Sequence, residues 1–174
     1  MIAIKTWMTR ALAPLLVAGA IGSASAATVV ETAAADARFS TLVTAIKAAG
    51  LNEALSADGP FTVFAPTNEA FAALPEGRLD SLLQPQNRDQ LTNILLYHVA
   101  SGAIRSDDIP AGTTAVTPLL EGAVLCVTRE GAAVSVADGS GPPARVVIAD
   151  IEADNGVIHV IDKVLPPGSE RACP

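Results

Sequence analysis

Phe61-Thr62-Val63-Phe64-Ala65-Pro66-Thr67-Asn68-Glu69-Ala70-Phe71 is the stretch on which the fold of this chain turns. Its first four residues are aromatic or β-branched, the composition of a short strand. Pro66 lacks the N–H that a ladder needs and ends the strand. Thr67 or Asn68 then offers a side-chain oxygen to cap a short helix carrying Ala70, Phe71 and Leu74. Pro75 and Gly77 break that helix.

Upstream, Phe39, Leu42, Val43, Ile46 and Ala49 follow the 3.6-residue period, and Gly50 stops the helix. Asn52 to Ala57 adds a further turn. Downstream, Leu79, Leu82 and Leu83 suggest another turn or two before Pro85. Asn87 and Gln90 then have capping-box spacing ahead of Leu91, Ile94 and Leu95. Past residue 120 the pattern changes: Val124, Cys126 and Thr128 alternate with Leu125, Val127 and Arg129. Glu130-Gly131 is a turn, and Val134 and Val136 start the return strand. Asp138 to Pro143 is a loop, and Arg145 to Ile151 is a third apolar run. Asp154-Asn155-Gly156 is a turn, with Asn155 and Gly156 expected to supply positive backbone angles. A long final strand, Val157 to Leu165, closes on Pro166-Pro167. No linker or internal repeat divides the chain, so it reads as one α+β domain with an antiparallel meander.

The N-terminus has a different character. Lys5 and Arg10 precede a short apolar run, Ala11 to Gly22, and Ala24-Ser25-Ala26 is a small-x-small cleavage pattern. Residues 1–26 are therefore predicted to be a secretory signal, and residues 27–174 the domain with a short C-terminal tail. The run is short for a membrane span, which takes about 20 apolar residues, and the mature chain is not expected to insert in a membrane. The formal net charge is −7, and it becomes −9 when Lys5 and Arg10 leave with the signal. An acidic chain with 3% aromatic residues has neither the charge nor the stacking surface to bind nucleic acid. An apolar fraction of 50% excludes a disordered tail. The domain is expected to be a monomer in the periplasm or outside the cell.

Cys126 and Cys173 both lie in the mature segment. An oxidising compartment permits a disulfide between them, closing a loop of about 48 residues worth roughly 4 kcal/mol on the chain-entropy model. The alternative is a buried core thiol at 126 and a free thiol near the tail.

Several chemical patterns fail on inspection. Gly139-Ser-Gly-Pro-Pro-Ala144 has the spacing of a dinucleotide loop, but two prolines and a following strand leave no helix N-terminus for a phosphate. Asp150, Glu152 and Asp154 alternate like a calcium loop, but Asn155 and Ile161 hold the positions that need Gly and Glu. Two cysteines alone do not make a structural zinc site. No metal or cofactor is expected. His98 and His159 are the only candidate general bases. His159 lies between apolar neighbours in Val157-Ile158-His159-Val160-Ile161, and His98 follows a leucine-rich helix. Both fit better as hydrogen-bonded structural histidines than as catalysts, so the chain is read as non-enzymatic.

Three segments together resemble the signatures of fasciclin domains. They are Phe61 to Phe71, Tyr97-His98-Val99, and Asn155-Gly-Val-Ile-His-Val-Ile-Asp-Lys-Val-Leu-Pro166, in family order and reaching across roughly Thr28 to Pro167. The resemblance implies a wedge with a seven-stranded antiparallel β-sandwich core and helices packed around it. It also implies adhesion to a cell-surface or extracellular-matrix protein. In animal members a tyrosine–histidine motif flanked by branched apolar residues is implicated in integrin binding, and it matches Leu95, Leu96, Tyr97, His98 and Val99. An Asp-Ile pair implicated in the same role matches Asp150-Ile151, although Glu152 stands where the animal motifs carry Leu or Met. Some fasciclin-like proteins bind pigments, so a carrier of an apolar small molecule is the alternative. Physically, Thr67, Asn68, His98 and Asp162 are polar groups placed to satisfy buried backbone at strand–helix junctions, and His159 fits a structural role on its strand.

Overall fold

β1 (Phe61–Pro66) is buried from Thr62 onward on both faces, and the architecture is arranged around it. The computed structural model describes residues 27–139, 141–167 and 173. The expected signal, residues 1–26, lies outside the described residues. β1 runs parallel to β7 (Gly156–Ile161), in register from Phe61 opposite Gly156 to Pro66 opposite Ile161. On its other side it pairs antiparallel with β2 (Val99–Ser101). β3 (Gly112–Val116), β4 (Leu125–Glu130), β5 (Ala133–Ala137) and β6 (Ala144–Ala153) continue to β7 as successive antiparallel neighbours. The seven strands lie in the order β2-β1-β7-β6-β5-β4-β3.

The expected meander is present from β3 to β7, but a purely antiparallel sandwich is not. The parallel β1–β7 contact makes the sheet mixed, and the sheet curls. Ala100 of β2 bridges Pro118, just past β3, and the Leu119 N–H donates to the Val99 carbonyl at 2.7 Å. The two edges thus meet, which shields backbone that would otherwise be an open template.

Alternation along the central strands divides the interior. Val63, Ala65, Ile158 and Val160 face a cluster shared with the helices, among them Leu42, Ile46, Leu91 and Leu95. Phe64 and Ile161 point into the curl with Tyr97, Leu125, Val127, Val136 and Leu165. The helices α2 (Ser40–Ala49), α3 (Asn52–Leu55), α4 (Asn68–Ala72), α5 (Arg78–Leu82) and α6 (Arg88–Tyr97) occupy the regions expected, and a further helix, α1 (Val29–Ala34), precedes them where none was expected. Thr28 and Glu31 form a capping box on α1, Gly50 ends α2 with φ 74°, and Thr67 caps α4. The capping box expected from Asn87 and Gln90 does not form. Asn87 instead turns its amide to the Ser81 carbonyl at 2.7 Å and ties α6 to α5.

Gly156 serves a different purpose from the one its turn suggested. Neither it nor Asn155 has a positive φ. A Cβ on Gly156 would lie 2.1 Å from the Phe61 carbonyl oxygen, so glycine is required by the closeness of β1 and not by the turn. Asn155 secures the same corner. Its side-chain oxygen accepts from the Val29 N–H at 2.8 Å, and its amide donates to the Leu55 and Ala57 carbonyls, each at 2.9 Å. The final strand ends at Ile161, earlier than expected, and just past it the Asp162 carboxylate accepts the Arg145 N–H at 2.8 Å.

Cys126 in β4 and Cys173 lie at disulfide distance, with sulfurs 2.07 Å and Cα atoms 5.5 Å apart. Two outcomes follow for urea unfolding. Gly156→Ala should destabilise the domain by about 2–4 kcal/mol, since backbone rather than a movable side chain opposes the new methyl. Cys126→Ser with Cys173→Ser should cost about 4 kcal/mol by freeing the unfolded chain.

Candidate functional site

Tyr97 is the last residue of α6 and His98 its cap, which places both where helix, sheet and C-terminal segment converge. The Tyr97 hydroxyl donates to the Val124 carbonyl at 2.9 Å, and the ring is 1% exposed. His98 is 2% exposed. Its Nδ1–H donates to the Ile94 carbonyl at 2.7 Å, and its Nε2 accepts from the Leu165 N–H at 3.0 Å. The His98 carbonyl accepts from the Phe64 N–H at 2.8 Å. One imidazole therefore joins α6, β1 and the segment after β7. Burial lowers its pKa to about 4, against the Ile94 carbonyl and the Asp138 charge, which act to raise it.

The geometry places both residues matched to the tyrosine–histidine motif inside the domain. Their side chains offer no surface to a partner. Leu95 and Val99 are buried as well, and Leu96 is half-buried. The polar atoms of both side chains complete backbone groups of other segments.

His159 performs the same task with the opposite tautomer. Its Nε2–H donates to the Ile104 carbonyl at 2.7 Å, while Nδ1 accepts from the Asp150 N–H at 3.3 Å. The ring stacks on Phe64 with centroids 5.6 Å apart. With both ring nitrogens of both histidines turned to backbone, neither is poised as a general base. Thr67 accepts from the Ala70 N–H at 3.4 Å. Asn68 accepts from the Thr41 N–H at 3.1 Å and donates to the Ala37 carbonyl at 2.9 Å. Among the described residues, no group of three or more His, Cys, Asp or Glu side chains is placed to hold a metal ion.

Asp150 and Ile151 lie elsewhere, on β6, and both are half-buried. The β6–β7 register shifts between Val146 and Ile148 and again between Ile148 and Ile151, and Asp150 has φ 59°. Such bulges bend a strand and re-aim its side chains. The Asp150 carboxylate accepts from the Ser106 N–H at 2.8 Å and from the Ser106 hydroxyl. Burial raises the Asp150 pKa, but the Ser106 hydrogen bonds and the Arg105 charge outweigh it and hold the carboxyl below its usual range. The same bulges turn Val147 and Ile148 outward, to 56% and 39% exposure. One sign of this is visible along the chain. Val146, Val147 and Ile148 are three consecutive apolar residues, which a regular one-face strand does not carry.

The fasciclin domain model matches residues 37–167. The chain belongs to the fasciclin domain family. It is 51% identical over 145 residues to Protein sll1483 of Synechocystis sp., covering 82% of this chain and 75% of that protein. It is 44% identical over 144 residues to transforming growth factor-beta-induced protein ig-h3 of Sus scrofa, covering 83% of this chain but 20% of that protein. Among solved structures, the FAS1 domain pair of the insect cell adhesion molecule Fasciclin I aligns with a TM-score of 0.58 at 23% identity. It covers 72% of this chain and 44% of that one, a likeness of fold. No helix among the described residues of this fasciclin domain is long and apolar enough to cross a membrane.

His98 makes the domain acid-sensitive in a defined window. Its pKa is lower folded than unfolded, so the unfolded chain binds the extra proton first as pH falls. Its contribution is complete above about pH 6.5 and is lost on descent to about pH 4, a loss of roughly 3 kcal/mol. Urea midpoints at pH 7 and pH 4 should differ accordingly in the native chain. The difference should shrink in His98→Gln, whose amide does not titrate.

Proposed function

We propose that this fasciclin domain is an exported, monomeric and non-enzymatic interaction module for a protein partner at a cell surface or in extracellular matrix. In this reading residues 1–26 direct export and residues 27–174 form the domain with its short tail. The bonded cysteines fit an oxidising compartment. The solved relative is described as a cell adhesion molecule, which favours adhesion over the other readings.

The observation that carries the proposal is the bulged segment of β6. Among the described residues, Val147 and Ile148 are the exposed large hydrophobic side chains. They adjoin Asp150 and Ile151, the pair matched to the adhesive Asp-Ile motif of animal members. An apolar pair beside a carboxylate is suited to a partner surface of mixed character. The carrier reading is less well supported, because both apolar clusters are occupied by the chain's own side chains.

Beads coated with the domain should attach to cells of the source organism or to surfaces coated with collagen or fibronectin. Val147→Ser with Ile148→Ser should reduce attachment at least about tenfold, the size expected on losing a central apolar contact. The thermal midpoint should be unchanged. Equal attachment by both proteins would move the contact away from β6, and no attachment to any surface would overturn the interaction reading.

A further inference from the structure

Of the five asparagines in the chain, Asn155 is the one followed by glycine. That pair carries a chemistry of its own. Gly156 has no side chain to obstruct its backbone nitrogen, which can reach the Asn155 Cγ wherever the chain is free to turn. A new N–C bond then forms, the C–N bond of the side-chain amide breaks, and ammonia leaves with the proton shed by the Gly156 nitrogen. The cyclic imide that results opens by taking up one water. Opening at one carbonyl gives aspartate. Opening at the other gives isoaspartate, whose main chain runs through the side-chain carbon.

The fold holds both reacting groups still. The Asn155 side-chain oxygen accepts from the Val29 N–H at the start of α1, and its nitrogen donates to the Leu55 and Ala57 carbonyls at the end of α3. The attacking nitrogen belongs to the peptide unit whose carbonyl, that of Asn155, accepts from the Phe61 N–H at 2.9 Å. Backbone crowds that unit from two sides. A Cβ on Gly59 would lie 2.1 Å from the Asn155 carbonyl oxygen, and one on Gly156 would lie 2.1 Å from the Phe61 carbonyl oxygen. Closing the imide ring turns the side-chain amide and swings the peptide unit, so these bonds must be given up together. Asn155 is half-buried, so water is at hand once the corner opens.

We propose that Asn155 is a modification site of this domain, converted by its own neighbour to aspartate or isoaspartate when the corner opens and held unreacted while it is closed. The inference is independent of the reading of β6. The conversion runs one way and weakens the corner. Aspartate keeps the acceptor for Val29 but sets a carboxylate against the Leu55 and Ala57 carbonyls, which lose their donor. Isoaspartate lengthens the main chain by one carbon just where the β1–β7 register begins, at Phe61 opposite Gly156. The modified fraction therefore records how often the domain has opened.

The test compares the intact chain with the free peptide of residues 146–163, the fragment that trypsin releases, in which Asn155 is the sole asparagine. Both are held for weeks at mildly alkaline pH, and peptide mass spectrometry reads the amide-to-acid conversion at residue 155. The free peptide should yield both aspartyl and isoaspartyl products. The folded chain should react at least about tenfold more slowly, since several hydrogen bonds must open together. At its guanidinium chloride midpoint the chain should react at about half the rate of the peptide in the same solution, because half the molecules are then open. Asn155→Asp should lower that midpoint or abolish folding. A peptide that yields aspartate alone, or a folded chain that reacts within about tenfold of the peptide, overturns the proposal. So does a rate that stays flat up to the midpoint. An unchanged midpoint in Asn155→Asp overturns the weakening of the corner.

Discussion

The parallel pairing of β1 with β7 is the constraint on which the rest of the molecule depends. It joins Phe61–Pro66 to Gly156–Ile161 across most of the domain's length, and both strands are buried on two faces. A strand covered on both sides must sit between two apolar layers. One layer is the helices and the other is the interior of the curled sheet. The close approach at Phe61 and Gly156 fixes the register, since no side chain fits there.

A two-sided core leaves junctions where the chain passes from one layer to the other, and buried polar backbone collects at them. The two histidines meet that need. His98 ties the end of α6 to Leu165, and His159 ties β7 to Ile104 and to the bulge at Asp150. Each imidazole serves as donor at one nitrogen and acceptor at the other, a combination that no carboxylate, ammonium or guanidinium group offers. Histidine here is structural because its two nitrogens can face one N–H and one C=O at once. On the outside, the bulged β6 leaves the apolar side chains of Val147 and Ile148 in water.

Much of this could be read along the chain. The capped helix after Pro66, the stop at Gly50, the alternation in β4 and β5 and the capping role of Thr67 are local effects, set within a few residues. The failures have physical reasons too. Alternation reports which face of a strand is buried but not the direction of its neighbour, so the parallel contact of β1 was invisible. Asn87 has cap spacing, yet Ser81 offered its amide a better partner through space. Asn155-Gly156 looked like a positive-φ turn, but the residue opposite Gly156 is 95 positions away in sequence. For the site, the resemblance to fasciclin motifs marked Tyr97 and His98, and a motif match does not tell an internal hydrogen bond from an external contact.

The sequence by itself determined the family, the helical first half and the stranded second half, because signatures and periodicity are carried by neighbouring residues. It also determined that two cysteines were available to pair, without deciding that they would. Tertiary structure alone decided the mixed direction of the sheet, the meeting of its edges at Ala100 and Pro118, and the burial of Tyr97 and His98. It also decided the exposure of Val147 and Ile148, since a bulge is a mismatch between two strands and exists only when both are present.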